Sequence, residues 1–348
     1  MHTNRLKNVL NEILAAENPP AMMLHGAPGV GKSAIVQQIA QSHGWEFIDI
    51  RLLLLNPVDL KGVPVANRET KITEWYTPEF LPREGRNAKE GIVMLDEITS
   101  ASPAMQAAAY QFVYDKKIGN YCLPPGWRII AAGNRQSDRG VVNKMPSPLA
   151  NRMLHFYVEP GLEDWKQWAM NNNIHPSILG FLNHYPHKLY EFPKGIEEIG
   201  AFPSPRTWMM VNQYAHILEP DSSVFAEVVN ASVGAGVAVE YTTFARIKDK
   251  MPDPRQILAT GSGPVPRVSE TDVLFALCAS LATYTIQDPT PTKISNLLTY
   301  LLKVNADFVV RTIMDLWKAS GMVVKTISNP VWSSKIIPTF GDIFRPEM

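Results

Sequence analysis

Gly26-Ala27-Pro28-Gly29-Val30-Gly31-Lys32-Ser33 is the stretch on which the reading of this chain turns. Two glycines five positions apart, followed by Lys and Ser, form the pattern of a P-loop. Its flanks fit. Ala21-Met22-Met23-Leu24-His25 reads as a short buried strand, and Ala34 to Ser42 reads as a helix with Ile35/Ile39 and Val36/Ala40 paired at i,i+4. In such a loop the glycines let backbone N–H groups turn inward on phosphate oxygens, while the helix N-terminus presents its positive dipole end. The segment from Gly26 to Ala34 is therefore the candidate phosphate cradle. Lys32 is placed to reach the β- and γ-phosphates and the Ser33 hydroxyl to hold Mg²⁺. At an average glycine usage of ~7%, chance would produce this pattern in a chain of this length on the order of once in a hundred cases.

The whole chain is compatible with such a site. Its 348 residues suggest two or three domains, and 45% apolar with 19% charged residues describe an ordinary globular composition. Lys plus Arg and Asp plus Glu are equal at 33 each, so there is no basic excess of the kind that neutralises nucleic-acid phosphates. The two cysteines, Cys122 and Cys278, lie far apart and match no metal-ligand spacing, which suggests reduced thiols. Met1-His2-Thr3-Asn4-Arg5 leads into an amphipathic helix rather than an apolar signal core. No apolar run approaches the ~18 residues of a membrane span. The expectation is a cytoplasmic chain with no membrane span.

Leu6, Val9, Leu10, Ile13 and Leu14 place a helix over residues 4–17, stopped by Asn18-Pro19-Pro20. After the P-loop helix, residues 45–50 read as a second strand. Residues 52–82 then suggest a short helix at 57–61 and a β-hairpin across 63–75, an insertion suited to reaching a partner. Ile92-Val93-Met94-Leu95-Asp96-Glu97 is an apolar run ending in paired acids, as expected of a buried parallel strand whose C-terminal end enters a site. There Asp96 can help hold Mg²⁺, and Glu97 can polarise a water as general base. Paired acids also suit a helix first turn, the ordinary alternative.

A helix over 102–115, a hairpin at 117–123 and a strand at 128–132 follow; that strand ends in Gly133-Asn134. Asn134 is either a turn residue or a hydrogen-bond partner for the attacking water or γ-phosphate. Arg152 stands just before a fifth strand at 154–158, as a solvated charge or as a finger for a neighbour's nucleotide. From Gly161 onward the pattern is helical, with helices expected at 163–173, 176–184, 206–218 and 223–238. A Pro/Gly-rich link at 252–266 precedes further helices at 270–285, 293–304 and 308–320. Arg206 follows Pro203-Ser204-Pro205, where a loop starts a helix.

Taken in order over residues 4–218, these elements resemble the AAA+ ATPases, and within them the MoxR-like group of the helix-2-insert clade. Gly26–Ser33 is similar to Walker A, Asp96-Glu97 to Walker B, Asn134 to sensor 1, Arg152 to the arginine finger and Arg206 to sensor 2. Residues 56–64 with the hairpin resemble the helix-2 insert, and 117–123 the pre-sensor-1 hairpin. Asn151 departs from the Asp that many MoxR proteins carry before the finger, and Arg135 and Arg139 are nearby alternatives for that role.

The resemblance implies an α/β core over 1–160 with a parallel sheet of order 5-1-4-3-2. It also implies a helical lid over 161–250 and a helical extension over 251–348. Implied with them are ATP and Mg²⁺ as cofactors, hydrolysis of ATP to ADP and phosphate, a six-membered ring, and chaperone-like remodelling of a protein client with a von Willebrand factor A partner. A nucleic-acid client is the alternative, disfavoured by the neutral charge. A P-loop kinase has no use for a water-activating Glu97, and a scaffold without turnover has no use for an intact Lys32, Asp96 and Glu97.

Overall fold

A computed structural model describes residues 1–135, 138, 143–192, 200–246 and 251–344. The chain forms two compact units, Met1–Glu159 and Pro160–Met348.

The first unit runs α1 (Thr3–Leu14), β1 (Met22–His25), α2 (Lys32–His43), β2 (Glu46–Arg51), α3 (Pro57–Lys61), β3 (Val63–Asn67), β4 (Ile72–Tyr76), β5 (Gly91–Asp96), α4 (Pro103–Asp115), β6 (Lys117–Ile118), β7 (Tyr121–Cys122), β8 (Trp127–Gly133), α5 (Ser147–Ala150) and β9 (Leu154–Tyr157). Five strands make one parallel sheet in the order β2-β5-β8-β1-β9. Counted in chain order among themselves they run 5-1-4-3-2, as expected. The three inner strands carry apolar runs because parallel strands are covered on both faces. Along β5 the five residues from Gly91 to Leu95 are buried, and only Asp96 at the tip emerges. Met23, Val93, Leu95, Ile129 and Ala131 pack from the sheet against Met105, Ala109 and Phe112 of α4. Pro103 and the Ser102 side chain, which accepts from the Met105 amide at 3.2 Å, start α4 where the sequence places it.

The insertion after β2 folds as its turn residues indicate. The Asn56 amide donates to the Asp59 carboxylate at 2.8 Å, capping α3. The β3–β4 hairpin pairs Val63 with Tyr76 and leaves Val63, Ile72, Trp75 and Tyr76 exposed.

The second unit is helical: α6 (Leu162–Met170), α7 (Pro176–His184), α8 (Pro205–Ala215), α9 (Ser223–Val233), α10 (Ala235–Ala245), α11 (Pro254–Thr260), α12 (Thr271–Gln287), α13 (Pro291–Leu301), α14 (Ala306–Trp317), α15 (Met322–Ile327), a π-turn at Trp332–Ile336 and α16 (Ile337–Phe344). One hydrophobic cluster runs from Trp165 to Phe344, spanning both halves of this unit.

Two local expectations are corrected, and the helical extension continues past the last helix expected. The single helix over 223–238 is two helices broken at Gly234, whose φ of +84° suits glycine; a Cβ there would meet the Ala201 carbonyl at 2.6 Å. The link at 252–266 contains α11, because the Asp253 side chain caps the Arg255 amide at 2.8 Å and Pro254 occupies the first helical position. Beyond residue 320, α15 and α16 close the unit; Trp317, Trp332 and Phe344 pack their rings together with centroids 5.3–5.7 Å apart. Both cysteines are free thiols. Among the described residues no helix is long and apolar enough to cross a membrane.

Candidate nucleotide site

Parallel sheet topology gathers the C-terminal ends of β1, β5 and β8 at one edge, and the candidate residues follow those ends. The loop after β1 turns through Gly29 at φ +78° and Gly31 at φ +94°, the latter serving as N-cap of α2. A Cβ built on Gly31 meets nothing within 4 Å, so the space over the helix N-terminus is open. The first backbone N–H groups of α2 face that space in the way a phosphate cradle requires.

Lys32 is buried. Its Nζ donates to the Gly26 carbonyl at 2.7 Å, the Ala27 carbonyl at 3.1 Å and Asn134 Oδ1 at 3.2 Å. That last bond joins the P-loop to the end of β8, and Thr99 Oγ1 donates to the Asn134 carbonyl at 3.2 Å from the other side. Ser33 Oγ donates to Asp96 Oδ2 at 2.7 Å, while the other Asp96 oxygen accepts from the Glu97 amide at 2.9 Å. A hydroxyl and a carboxylate meeting head-on are hard oxygen ligands, the set Mg²⁺ uses with phosphate and water oxygens completing its shell. Among the described residues no cluster of three or more His, Cys, Asp or Glu competes for a metal.

Glu97 has a φ of +58°, unusual for a residue with a side chain. Ser100 Oγ donates to Glu97 Oε2 at 3.0 Å, and the Ser100 and Ala101 amides donate to the Glu97 carbonyl. The tight turn thus holds the carboxylate at the sheet edge with its other oxygen unclaimed by Ser100. Asp49 on β2, near Asp96, was not singled out by the sequence. Burial and the Asp96 charge raise its carboxyl above the usual range, against the pull of Arg51. Ser100 and the His25–His155 pair were likewise missed, since each works through partners brought together only by the fold.

The finger candidates separate clearly. Arg135 is engaged by Asp138, through its amide at 2.8 Å and its Nε at 3.1 Å. Arg139 lies outside the described residues. Arg152 precedes β9, whose Leu154 lies beside Met22 and whose Tyr157 lies beside His25. It therefore stands at the opposite end of the strands from the P-loop, about 13 Å or more away at ~3.3 Å per residue. Its guanidinium stacks on Tyr114 at 3.8 Å and Tyr110 at 4.5 Å. Arg206 is in the first turn of α8, in the second unit, behind a Ser204–Thr207 capping box. The structure brings Lys32 to Asn134 and, one residue on, Ser33 to Asp96 in two hydrogen-bonded pairs, with Glu97 next to Asp96.

A P-loop, a parallel sheet of the order that the AAA+ resemblance implies and acids at the tip of the neighbouring strand make this a P-loop α/β fold. Comparison with known proteins agrees: residues 21–153 match the family described as "AAA domain (dynein-related subfamily)". Over 163 residues, 44% of this chain, the sequence is 26% identical to midasin of Dictyostelium discoideum, of which that stretch covers 3%. Among solved structures, a point mutant of RuvB from Thermotoga maritima aligns with a TM-score of 0.41 at 17% identity, covering 86% of this chain and 87% of that one. A putative ATPase from Cytophaga hutchinsonii aligns with a TM-score of 0.34 at 12% identity, covering 88% of this chain and 78% of that one.

Proposed function

We propose that this chain is a Mg²⁺-dependent ATPase that works as a ring of its own copies, six in the MoxR-like arrangement, and remodels a protein client together with a von Willebrand factor A partner. The observation that carries the ATPase reading is the pairing of Lys32 with Asn134 and of Ser33 with Asp96, next to Glu97. Lys32 neutralises charge on the β- and γ-phosphates, and the amides at the head of α2 bind the same oxygens. Ser33 and Asp96 hold Mg²⁺, whose chemistry when bound is to offset charge on the phosphate oxygens. Glu97 takes the proton of the attacking water, and Asn134, already bonded to Lys32, orients that water or the γ-phosphate. Arg206 in residues 161–250, the proposed lid, contributes the sensor contact.

Arg152 acts in trans. Its position at the far end of the strands supports this, because it cannot reach its own P-loop. A protein client is supported by the zero net charge and by the apolar side chains exposed along the inserted hairpin, Val63, Ile72, Trp75 and Tyr76.

The test is phosphate release by the purified chain with Mg²⁺-ATP. Glu97→Gln is expected to keep nucleotide binding and lose hydrolysis by about 10²–10⁴-fold, the usual worth of a general base. Arg152→Ala is expected to be inactive alone and partly rescued when mixed with Glu97→Gln subunits, since each supplies the part the other lacks. Normal turnover by Glu97→Gln, or no mixing effect, sinks the assignment of that residue.

A further inference from the structure

His25, the last residue of β1 and the one before the P-loop, places Nε2 2.8 Å from Nδ1 of His155 on β9. His155 Nε2 lies 2.7 Å from the carbonyl of Ala150, the last residue of α5. A carbonyl only accepts, so His155 carries its proton on Nε2 and its Nδ1 is the acceptor for His25 Nε2–H. The two imidazoles thus form a directed chain from the head of the P-loop to the helix that ends two residues before Arg152. The ring of His25 lies near-parallel to those of His155 and Tyr157, at centroid distances of 5.1 and 4.9 Å.

The charged and titratable groups around His25 come from three elements. Lys32 faces it from α2, Arg135 from the segment after β8, and His155 and Tyr157 from β9; Arg135 is itself paired with Asp138. Lys32 also donates to the carbonyl of Gly26, the next residue in the chain. Burial, His155 and these two cations push the His25 imidazole down to about 4. A triphosphate gripped by Lys32 brings several negative charges to the same place and offsets the cations that disfavour the imidazolium. The exposed β9 edge gives the ring a path for a proton from solvent.

We propose that His25 and His155 form a proton-linked tether that takes up one proton at His25 Nδ1 when a triphosphate binds. The His25 Nε2–H bond to His155 is retained and becomes charge-assisted, so nucleotide binding tightens the link between the P-loop and α5 beside Arg152. This rests on the ATP-binding reading above.

The experiment measures binding of a non-hydrolysable Mg²⁺-ATP analogue by calorimetry, in buffers of different ionisation enthalpy, from pH 6 to pH 8. His25→Gln keeps a side-chain N–H donor but cannot titrate, and its curve cancels the titration of the nucleotide itself. If binding restores an ordinary histidine value near 6.5, wild-type affinity relative to His25→Gln is about fourfold greater at pH 6 than at pH 8, with matching proton uptake. Nitrogen-15 spectra of the wild-type histidine rings keep the idea testable should the variant fold poorly: His25 Nδ1 becomes protonated on adding the analogue. Parallel pH profiles, or a neutral His25 in the complex, overturn the tether while leaving ATP binding intact. No analogue binding at any pH overturns both.

Discussion

Each unit buries a lysine, and the two are used in opposite ways. Lys32 donates to neutral oxygens, two backbone carbonyls and the Asn134 amide, at the mouth of an open helix N-terminus. Lys166 of α6, 1% exposed, meets the carboxylate of Asp315 on α14 and lies 3.8 Å from Glu163. Asp315 also accepts from Lys318 at 3.3 Å and from Asn183 at 3.1 Å. Burial depresses the Lys166 ammonium against the pull of Asp315. Burial also works against the Glu163 carboxylate, yet Lys166 and Lys318 hold it below its ordinary value. The contrast separates a charge held by neutral oxygens, the one proposed to meet an incoming anion, from a charge consumed in joining helices.

The largest effect expected from this contrast is on stability in the second unit. Lys166→Met leaves the buried Asp315 to Lys318 and Asn183 without its nearest cation, and breaking a buried pair from one side costs up to about 3–5 kcal/mol. Adding Asp315→Leu removes the underpaired charge and is expected to recover part of that loss, because well-packed apolar replacements of buried pairs are often neutral while Lys318 and Asn183 lose an acceptor. Urea denaturation followed by tryptophan fluorescence measures both. A single variant as stable as wild type means that Lys166 and Asp315 do not depend on each other.

Next in size is the matching change at Lys32. Lys32→Met is expected to weaken Mg²⁺-ATP binding by about 10²-fold or more, the cost of removing a buried charge partner of about 2–5 kcal/mol. Stability should move far less than in Lys166→Met, since the bonds that position Lys32 run to neutral oxygens and its removal strands no carboxylate among them. Equal destabilisation by the two substitutions breaks the comparison, for Lys32 would then be structural.

Much of this is legible in the chain itself, and the misses have physical causes. The inner strands can be read because parallel strands covered on both faces need unbroken apolar runs such as Ile92–Leu95. The P-loop can be read because its spacing is a backbone requirement confined to eight residues. Gly234 escapes notice as a break because a glycine within an apolar helical pattern looks the same whether its φ is negative or, as here, +84°. Pro254 reads as part of a link because proline interrupts helices; placed directly after the Asp253 cap it starts one. The His25–His155 pair has no local signature at all. Its members are 130 residues apart and meet only because β9 pairs with β1 at the sheet edge.

The smallest effects compare two serines at helix starts. Ser204 Oγ accepts from the Thr207 amide at 3.2 Å while Thr207 Oγ1 accepts from the Ser204 amide at 2.8 Å, a closed capping box ahead of Arg206. Ser33, in the first turn of α2, instead donates to Asp96. Ser204→Ala leaves N–H groups of a helix end without their cap and is expected to cost about 1 kcal/mol of stability. It should not alter the Mg²⁺ concentration needed for half-maximal hydrolysis. Ser33→Ala is expected to do the reverse, raising the Mg²⁺ requirement with a stability change nearer zero, because Asp96 keeps its bond from the Glu97 amide. Denaturation midpoints and Mg²⁺ titrations of phosphate release, run on both variants, separate a hydroxyl that caps a helix from one that binds a metal. An unchanged Mg²⁺ titration in Ser33→Ala would place the cation elsewhere than between Ser33 and Asp96.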